Sequence, residues 1–222
     1  MKQTPIHEHH NPDLLNFIPK DAANLIEIGC SSGALAREFK KINPNCNYLG
    51  VEIDPDYAEL ANRFCDETLV LDIESAGEDF FQNNKLRDCW IFGDTLEHLR
   101  NPSAVLSKIK AVIPENGSIV ACIPNMQHWS IQARLSFGDL RYEDSGLLDK
   151  THLRWFTRIT IIETFLAAGF SIIDASARIF DEPQREQFMP AIKQLAIAAG
   201  ADPEMAVTDS MPLQYVIRAI SC

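Results

Sequence analysis

The stretch Leu25-Ile26-Glu27-Ile28-Gly29-Cys30-Ser31-Ser32-Gly33 decides the fold of this 222-residue chain. A mainly apolar run leads into two glycines that are four positions apart, and apolar residues then recur at helical spacing over 34–39. This pattern predicts a buried strand, a tight turn and the start of a helix. Glycine permits a positive φ or a close approach of the backbone to a ligand, and a helix start presents free N–H groups. The segment is therefore a candidate cofactor-binding turn.

The composition of this turn argues against a dinucleotide. Ser31 stands where the dinucleotide fingerprint has its second glycine, which lets the backbone approach a pyrophosphate closely. Glu27 would also be unfavourable near a pyrophosphate, but it could hold the ammonium group of an amino-acid moiety or brace the turn. We therefore expect a smaller and partly cationic ligand.

A second predicted strand, 47–52, ends in an acidic residue. Glu52 follows the glycine turn by about twenty residues, which is the position where a carboxylate accepts both hydroxyls of a ribose. The sequence therefore predicts that the ligand contains a nucleoside.

The combination of Glu27-x-Gly29-x-x-x-Gly33 with Glu52 resembles the class I S-adenosylmethionine-dependent methyltransferases. Further segments resemble the third-, fourth- and fifth-strand motifs of this family: 71–73, 89–102 and 114–125. Other stretches look like a bacterial branch that is often found beside or fused to glycosyltransferases: 11–15, 127–130 and 149–157. The similarity covers nearly the whole chain, although the placement within a branch is an analogy.

The resemblance implies that S-adenosyl-L-methionine is the cofactor and that ten residues bind it. Those around the methionine part would be Glu27, Gly29, Ser31 and Gly33. Those around the nucleoside and the amino group would be Glu52 for the ribose, Ile53, Asp72 and Ile73 for the adenine, and Gly93 and Asp94 for the amino group.

Predicted strands and helices alternate along the chain. The strands lie near 24–29, 47–52, 67–71, 88–93, 117–122, 170–174 and 213–220, and the helices near 33–42, 56–64, 103–113, 157–168 and 185–199. This alternation predicts a parallel sheet with right-handed crossovers. Together with the resemblance, it implies an α/β, Rossmann-like, doubly wound fold, in which a mostly parallel seven-stranded sheet has an antiparallel last strand and helices on both faces.

We expect a single methyltransferase domain over residues 1–222. Residues 1–20 are predicted to form a leading segment with a short helix over the cofactor cleft. The segment 124–156 breaks the alternation, and we expect this insertion to cover the acceptor site, although it could instead be a helical decoration packed on the sheet. Because the chain ends two residues after the last predicted strand, the domain could have been excised from a longer polypeptide.

Three histidines are candidate catalytic residues. Methyl transfer requires the acceptor to be held near the methyl carbon, and a hydroxyl acceptor benefits from a base that titrates near neutral pH. His98 and His128 follow the fourth and fifth predicted strands, and His152 lies in the insertion. Each of these imidazoles could instead cap a helix or satisfy a loop.

A metal is a further hypothesis. The run Asp94-x-x-Glu97-His98 resembles the Glu-x-x-Glu-His run that binds Mg²⁺ in ubiquinone-biosynthesis O-methyltransferases and small-RNA 2′-O-methyltransferases, and His152 lies roughly where the latter have another histidine. The resemblance implies a cation that would lower the pKa of a hydroxyl pair. Because Asp94 is one methylene shorter than the first glutamate of that run, we expect a metal-free site and assign no metal ligand.

Composition restricts the partners and the compartment. The net charge is −11, which disfavours nucleic acid, and a small-molecule acceptor is expected instead. Six widely separated cysteines have neither Cys-x-x-Cys nor zinc-type spacing, so we expect free thiols in a reducing compartment: Cys30, Cys46, Cys65, Cys89, Cys122 and Cys222. With no apolar run of about 18 residues and no signal segment, the sequence predicts a cytoplasmic protein away from membranes.

The leading function is methyl transfer from S-adenosylmethionine to oxygen, with nitrogen less favoured, on a saccharide or nucleotide-linked sugar. An NAD-dependent oxidoreductase on the same fold is a second class, and Ser31 argues against it. A third is a non-catalytic cofactor-binding module that serves a fused or partner glycosyltransferase.

Overall fold

Seven strands form one sheet in the computed structural model, which describes residues 8–222. They are β1 Asn24–Ile28, β2 Asn47–Glu52, β3 Glu67–Val70, β4 Cys89–Gly93, β5 Ser118–Pro124, β6 Phe170–Arg178 and β7 Gln214–Ser221. Their order is β3-β2-β1-β4-β5-β7-β6, and β7 is antiparallel to both of its neighbours, whereas the first five strands are parallel. The predicted Rossmann-like architecture is confirmed.

The α-helices of the described residues surround this sheet. They are α1 Pro12–Phe17, α2 Ala34–Ile42, α3 Pro55–Ala61, α4 Glu78–Asn83, α5 Pro102–Lys110, α6 Trp129–Ser136, α7 Arg158–Ala167, α8 Met189–Ala198 and α9 Pro203–Ser210. Two short 3₁₀ helices, Leu96–His98 and Pro183–Gln187, complete the set. None of the helices in the range 8–222 has the length and apolar character needed to cross a membrane.

Buried side chains form one cluster on each face of the sheet. Successive residues of a strand point to opposite faces, so Leu25 packs in one cluster while Ile26 packs in the other. Phe39 of α2 joins the first cluster, and Phe81 of α4 and Phe165 of α7 join the second. Because both faces are covered, strands such as β4 and β5 are buried almost throughout and read as continuous apolar runs.

Several elements differ from the sequence prediction. The helices α4 and α9 were not predicted, although Asp202 accepts hydrogen bonds from two backbone N–H groups at the start of α9 and precedes a proline. The helix expected over 185–199 is divided into the 3₁₀ helix Pro183–Gln187 and α8. Strand β6 is longer than predicted because it stays paired with β7 as far as Arg178, beyond an irregularity near Asp174.

The leading helix α1 lies against the carboxyl end of β4. Asn11 caps it by accepting hydrogen bonds from two backbone N–H groups, and the buried Leu14 packs so closely on Gly93 that a Cβ there would lie 3.0 Å from Leu14 Cδ2. Asn11 and Leu14 both line the cavity described below. Residues 1–7 of the predicted 1–20 segment lie outside the described residues, and the role of this segment as a cover of the cofactor cleft stays a prediction.

The segment 124–156 contains α6 and a long loop whose two ends are fixed. At one end, Asn125 Nδ2 donates to the carbonyl oxygens of Asp209 and Pro212, each at 2.8 Å. At the other end, the N–H groups of Leu153 and Arg154 donate to the carbonyl oxygen of Glu97, at 2.8 and 2.9 Å. The second set of bonds joins the segment to the 3₁₀ helix that follows β4.

Candidate active site

A cavity of about 960 Å³ opens at the carboxyl ends of β1, β2, β3 and β4. The strand order reverses between β1 and β4, which is where open α/β sheets bind ligands. The cavity reaches from the glycine turn after β1 to residues 145–147 and 151–153 of the 124–156 segment. The carboxyl edge of the sheet and the segment expected to cover it therefore share one space.

The glycine turn is built as the sequence predicts. Gly29 has φ +77°, and a Cβ at this position would lie only 2.7 Å from Oγ1 of Thr95. The Thr95 hydroxyl donates to the carbonyl oxygen of Ile28 at 2.9 Å, which ties the turn after β1 to the turn after β4. Thr95 was missed in the sequence because nothing nearby in the chain reveals this contact.

The second glycine has a packing role. Gly33 also has a positive φ, of +74°, and a Cβ there would lie 3.1 to 3.3 Å from the backbone and side chain of Ala61 in α3. Gly33 is not among the residues that line the cavity, unlike Glu27, Gly29 and Ser31. The structure therefore places it under the turn, where it lets α2 and α3 approach each other.

Glu52 is held by three backbone N–H groups. Its Oε2 accepts from Ser31 at 2.8 Å, and its Oε1 accepts from Ile53 at 2.8 Å and from Asp54 at 3.1 Å. Ser31 takes up a positive φ of 48°, a conformation that is uncommon outside glycine and often marks a functional site. The carboxylate is fixed in the cavity wall, and of its roughly four lone-pair sites one, on Oε2, remains for a ligand hydroxyl.

Glu27 is buried at the end of β1 and lines the same cavity. The hydroxyl of Tyr48 donates to its Oε2 at 2.9 Å. Burial raises the pKa of Glu27 well above its usual range, and the Tyr48 hydrogen bond opposes part of that rise. A cationic ligand group beside Glu27 would favour its ionised form.

The residues expected around the adenine and the amino group also line the cavity. Ile53 is half exposed there and Ile73 is buried, while Asp72 Oδ1 accepts from the backbone N–H of Glu74 at 2.9 Å. Gly93 lies under α1, and Asp94 has a positive φ of 54°. The side chain of Asp94 accepts a hydrogen bond from Gln214 of β7.

Two of the three predicted histidines meet in the wall of the cavity. The ring centroids of His98 and His152 are 4.8 Å apart, with an interplanar angle of 72°. Nδ1 of His98 faces the carbonyl oxygen of Thr151 at 3.2 Å, and Nδ1 of His152 faces that of Leu147 at 3.3 Å. Burial lowers the pKa of both histidines, so both rings favour the neutral form.

His128 does not join this pair. It is buried outside the residues that line the cavity, with its Nδ1 at 2.8 Å from Oγ of Ser130 and its Nε2 at 3.2 Å from Oε2 of Glu182. Trp129 donates to the same carboxylate oxygen at 2.9 Å. The contacts of His128 and Trp129 with Glu182 join the start of α6 to the segment that precedes α8.

Glu97 lies beside the histidine pair. It is fully buried, and neither of its carboxylate oxygens has a hydrogen-bond partner among residues 8–222. Its Oε1 is 4.0 Å from Nε2 of His152, and one donor atom each from Glu97, His98 and His152 lie within 4.8 Å of one another. Burial raises the pKa of Glu97 well above its usual range, and the nearby Asp94 and Asp149 carboxylates raise it further. In the run that the sequence resembles, the first acidic residue belongs to the metal-binding group. Asp94 stands at that position here and does not belong to the group that the described residues form.

Comparison with known proteins identifies the family. A family model described as a methyltransferase domain matches residues 7–175, about three quarters of the chain. The chain belongs to this methyltransferase family. The assignment decides among the three functions that the sequence left open, and the methyltransferase takes precedence over the oxidoreductase and the non-catalytic module.

Solved structures with the same fold support this assignment. An S-adenosylmethionine-dependent methyltransferase from Archaeoglobus fulgidus superposes with a TM-score of 0.63 at 17% identity, covering 95% of this chain and 90% of the other. Magnesium protoporphyrin IX methyltransferase from Synechocystis, solved with bound S-adenosylhomocysteine, gives 0.58 at 11% identity and covers 95% and 81%. A search of curated proteins finds no match. The family and the fold together make this methyltransferase a class I S-adenosylmethionine-dependent enzyme, as the resemblance implied.

Proposed function

We propose that this methyltransferase moves the methyl group of S-adenosylmethionine to a hydroxyl oxygen of a small molecule, and that the acceptor is a saccharide or a nucleotide-linked sugar. Nitrogen is the less favoured acceptor atom. The observation that carries the proposal is the composition of one cavity, which is lined both by the Glu52 carboxylate at the end of β2 and by the His98–His152 pair.

The donor end follows from the contacts of the turn. Glu52, fixed by three N–H groups, would accept a ribose hydroxyl, and Ile53, Asp72 and Ile73 would surround the adenine. The buried carboxyl of Glu27 would meet the ammonium group, which compensates the cost of burying its charge. Gly29 and Ser31 would let the backbone pass close to the methionine part, and Gly93 and Asp94, which also line the cavity, would lie beside the amino group.

The acceptor end follows from the histidine pair. In the reaction the S–CH₃ bond breaks and its electrons stay on sulfur, which gives S-adenosylhomocysteine, while the O–CH₃ bond forms and the hydroxyl proton leaves. We assign His98 and His152 to the activation of this hydroxyl, because both rings line the cavity and a hydroxyl is a poor nucleophile near neutral pH. His128, whose ring faces Glu182, is assigned a structural role.

The proposal also covers the role of the 124–156 segment, the cellular compartment and the partner protein. The segment 124–156 would cover the acceptor, since residues 145–147 and 151–153 line the cavity. The buried free cysteines and the net charge of −11 support a cytoplasmic enzyme that does not act on nucleic acid. A glycosyltransferase, fused or separate, is the partner that we propose for it.

Incubation with methyl-labelled S-adenosylmethionine and a panel of neutral saccharides, nucleotide-linked sugars and amines tests the proposal. We expect label on a hydroxyl oxygen of a sugar, located by mass spectrometry, and strongly reduced turnover in His98→Gln and His152→Gln with unchanged binding of S-adenosylhomocysteine. His128→Gln is the matched control and should keep its turnover. Label confined to amines would contradict the assignment to oxygen.

A further inference from the structure

We propose that Glu97, His98 and His152 form a binding site for one divalent transition-metal cation of the Zn²⁺ type, and not for the Mg²⁺ that the sequence resemblance implies. The three residues surround the acceptor end of the cavity. This metal site rests on the proposed function only in one respect, namely that this part of the cavity is taken to hold the acceptor.

The buried carboxyl of Glu97 favours a bound cation. Its side chain is 0% exposed, and both of its oxygens lack a hydrogen-bond partner in the part of the chain that the structure describes. The carbonyl oxygen of the same residue accepts from Leu153 and Arg154, so the 3₁₀ helix that carries it is fixed. A buried carboxylate without a partner is costly, and a bound cation would remove that cost.

The tautomers of the His98 and His152 rings also favour a bound cation. Because Nδ1 of His152 faces a carbonyl oxygen, which can only accept, this nitrogen carries the proton and the lone pair lies on Nε2. Nδ1 of His98 faces the carbonyl and the hydroxyl oxygen of Thr151. That hydroxyl donates to Oδ1 of Asp149 at 2.6 Å, so it too accepts from His98. Both Nε2 atoms therefore present lone pairs, and neither can donate to Glu97.

The spacing of the donor atoms agrees with a shared ion. Oε1 of Glu97 and Nε2 of His152 are 4.0 Å apart, which is too long for a hydrogen bond. Ligands that each lie about 2.0 to 2.2 Å from one cation are roughly 3 to 4 Å from one another. The donor atoms of the group all lie within 4.8 Å, so small side-chain rotations bring them to that spacing.

The chemistry of the donors selects the ion. Mg²⁺ prefers six oxygen ligands, whereas two imidazoles and one carboxylate suit Zn²⁺, Fe²⁺ or Co²⁺. Asp94, which would supply the additional oxygen, is exposed and bonded to Gln214. The Nδ1 bonds to backbone carbonyls of Thr151 and Leu147 are the outer contacts that orient metal-binding histidines.

The position of the site would let the ion contact the acceptor. Three protein ligands leave coordination positions open, and all three residues line the cavity. A cation held there would bind an oxygen of the acceptor and lower the pKa of its hydroxyl. The histidine pair would then act by holding the ion.

Calorimetric titration of the chelator-treated protein with Zn²⁺ and with Mg²⁺ tests the proposal. We expect one Zn²⁺ per chain and Mg²⁺ affinity lower by at least about 100-fold. Co²⁺ should give a visible absorption spectrum that Zn²⁺ abolishes by displacement. Glu97→Gln, His98→Gln and His152→Gln should each weaken Zn²⁺ binding by about 10- to 100-fold or more.

Two controls separate this site from other donors. His128→Gln removes a buried imidazole outside the cavity, and the double variant His9→Gln/His10→Gln removes two of the three histidines near the start of the chain, so both should keep Zn²⁺ binding. Retained affinity for S-adenosylhomocysteine shows that each variant is folded and keeps the donor site, independently of the metal. Zn²⁺ binding that is absent, equal to Mg²⁺ binding, or lost only in the double variant would overturn the proposal.

Discussion

The backbone N–H of Ser31 donates to Oε2 of Glu52 over 2.8 Å and joins the turn after β1 to the end of β2. The same carboxylate also accepts from Ile53 and Asp54. The residue proposed to bind the ribose thus also fixes the backbone around it, so its replacement should affect the shape of the pocket as well as its charge.

Glu52→Gln should weaken the binding of S-adenosylhomocysteine by about 10- to 100-fold, since hydrogen bonds to a charged group contribute about 1.5–3 kcal/mol. An amide has only one acceptor oxygen, so its NH₂ group would face an N–H donor that the carboxylate now satisfies. Isothermal titration calorimetry measures the change. Glu67→Gln, on exposed β3, is the control, and equal affinity in both variants would refute the role of Glu52.

Gly29→Ala should destabilise the fold by about 2–5 kcal/mol. The positive φ is strained for alanine, and the new Cβ would lie 2.7 Å from Oγ1 of Thr95. Gly138→Ala is the matched control, because Gly138 has φ +79° with nothing within 4 Å of a Cβ, and it should cost only about 1–2 kcal/mol. Urea unfolding gives both values.

A second substitution separates strain from steric overlap at Gly29. Thr95→Ala removes the nearest atoms and should recover part of the loss in the double variant, while the backbone strain remains. A double variant in which the two losses simply add would show that the contact with Thr95 does not matter.

The ionisation of Glu27 should couple cofactor binding to pH. Since burial raises the pKa of its carboxyl and a bound ammonium group would lower it, the free protein retains the Glu27 proton to higher pH than the complex does. Affinity for S-adenosylhomocysteine should therefore fall as pH decreases, and binding should release a proton. Calorimetry in buffers of different ionisation enthalpy measures that release.

Two variants test the source of this proton. Glu27→Gln should abolish the release. Tyr48→Phe removes the hydrogen bond that lowers the pKa of Glu27, so it should move the pH dependence of binding upward. Proton release that persists in Glu27→Gln would assign the titration to another group.

His128 should affect acid stability and leave cofactor binding unchanged. Burial lowers its pKa, so below about pH 6.5 the unfolded chain binds the proton more tightly than the folded one, and stability falls as pH decreases. His128→Gln lacks this group and should lose less stability between pH 7 and pH 5. Ser136→Ala, at the other end of α6, keeps the imidazole with its hydrogen bonds and should keep the wild-type slope; identical slopes in all three proteins would contradict the assignment.

The donor site could be predicted from sequence because its signals are local. A glycine turn after an apolar run and an acid at the next strand end each depend on a few neighbouring residues, and the structure brings them to one cavity. The contact of Thr95 with Gly29 depends on the alignment of β1 with β4, which the sequence near either residue does not encode.

The histidines show the limit of the same reasoning. His128 and His152 both lie in the 124–156 segment, and which of them faces the cavity depends on the path of that segment. The path is set by distant bonds, such as those of Asn125 to Asp209 in the last turn of α9 and to Pro212 after it. The burial of Glu97 was equally hidden, because it depends on how residues 152–154, more than fifty positions away, lie against the 3₁₀ helix that carries it.

Hydrogen bonds fix the segment 124–156 near both of its ends. Leu153 and Arg154 are bonded to Glu97, and Asn125 is bonded to residues just before β7. The amino-acid sequence of the tip between these points can therefore change while the ends stay in place. On the proposed function, substrate preference could then evolve by exchange of residues 137–146 alone, which leaves the donor pocket and the Leu147 carbonyl beside His152 in place. Chimeras that carry the tip of a related enzyme would take that enzyme's acceptor specificity and would keep the sheet and the donor pocket of this protein.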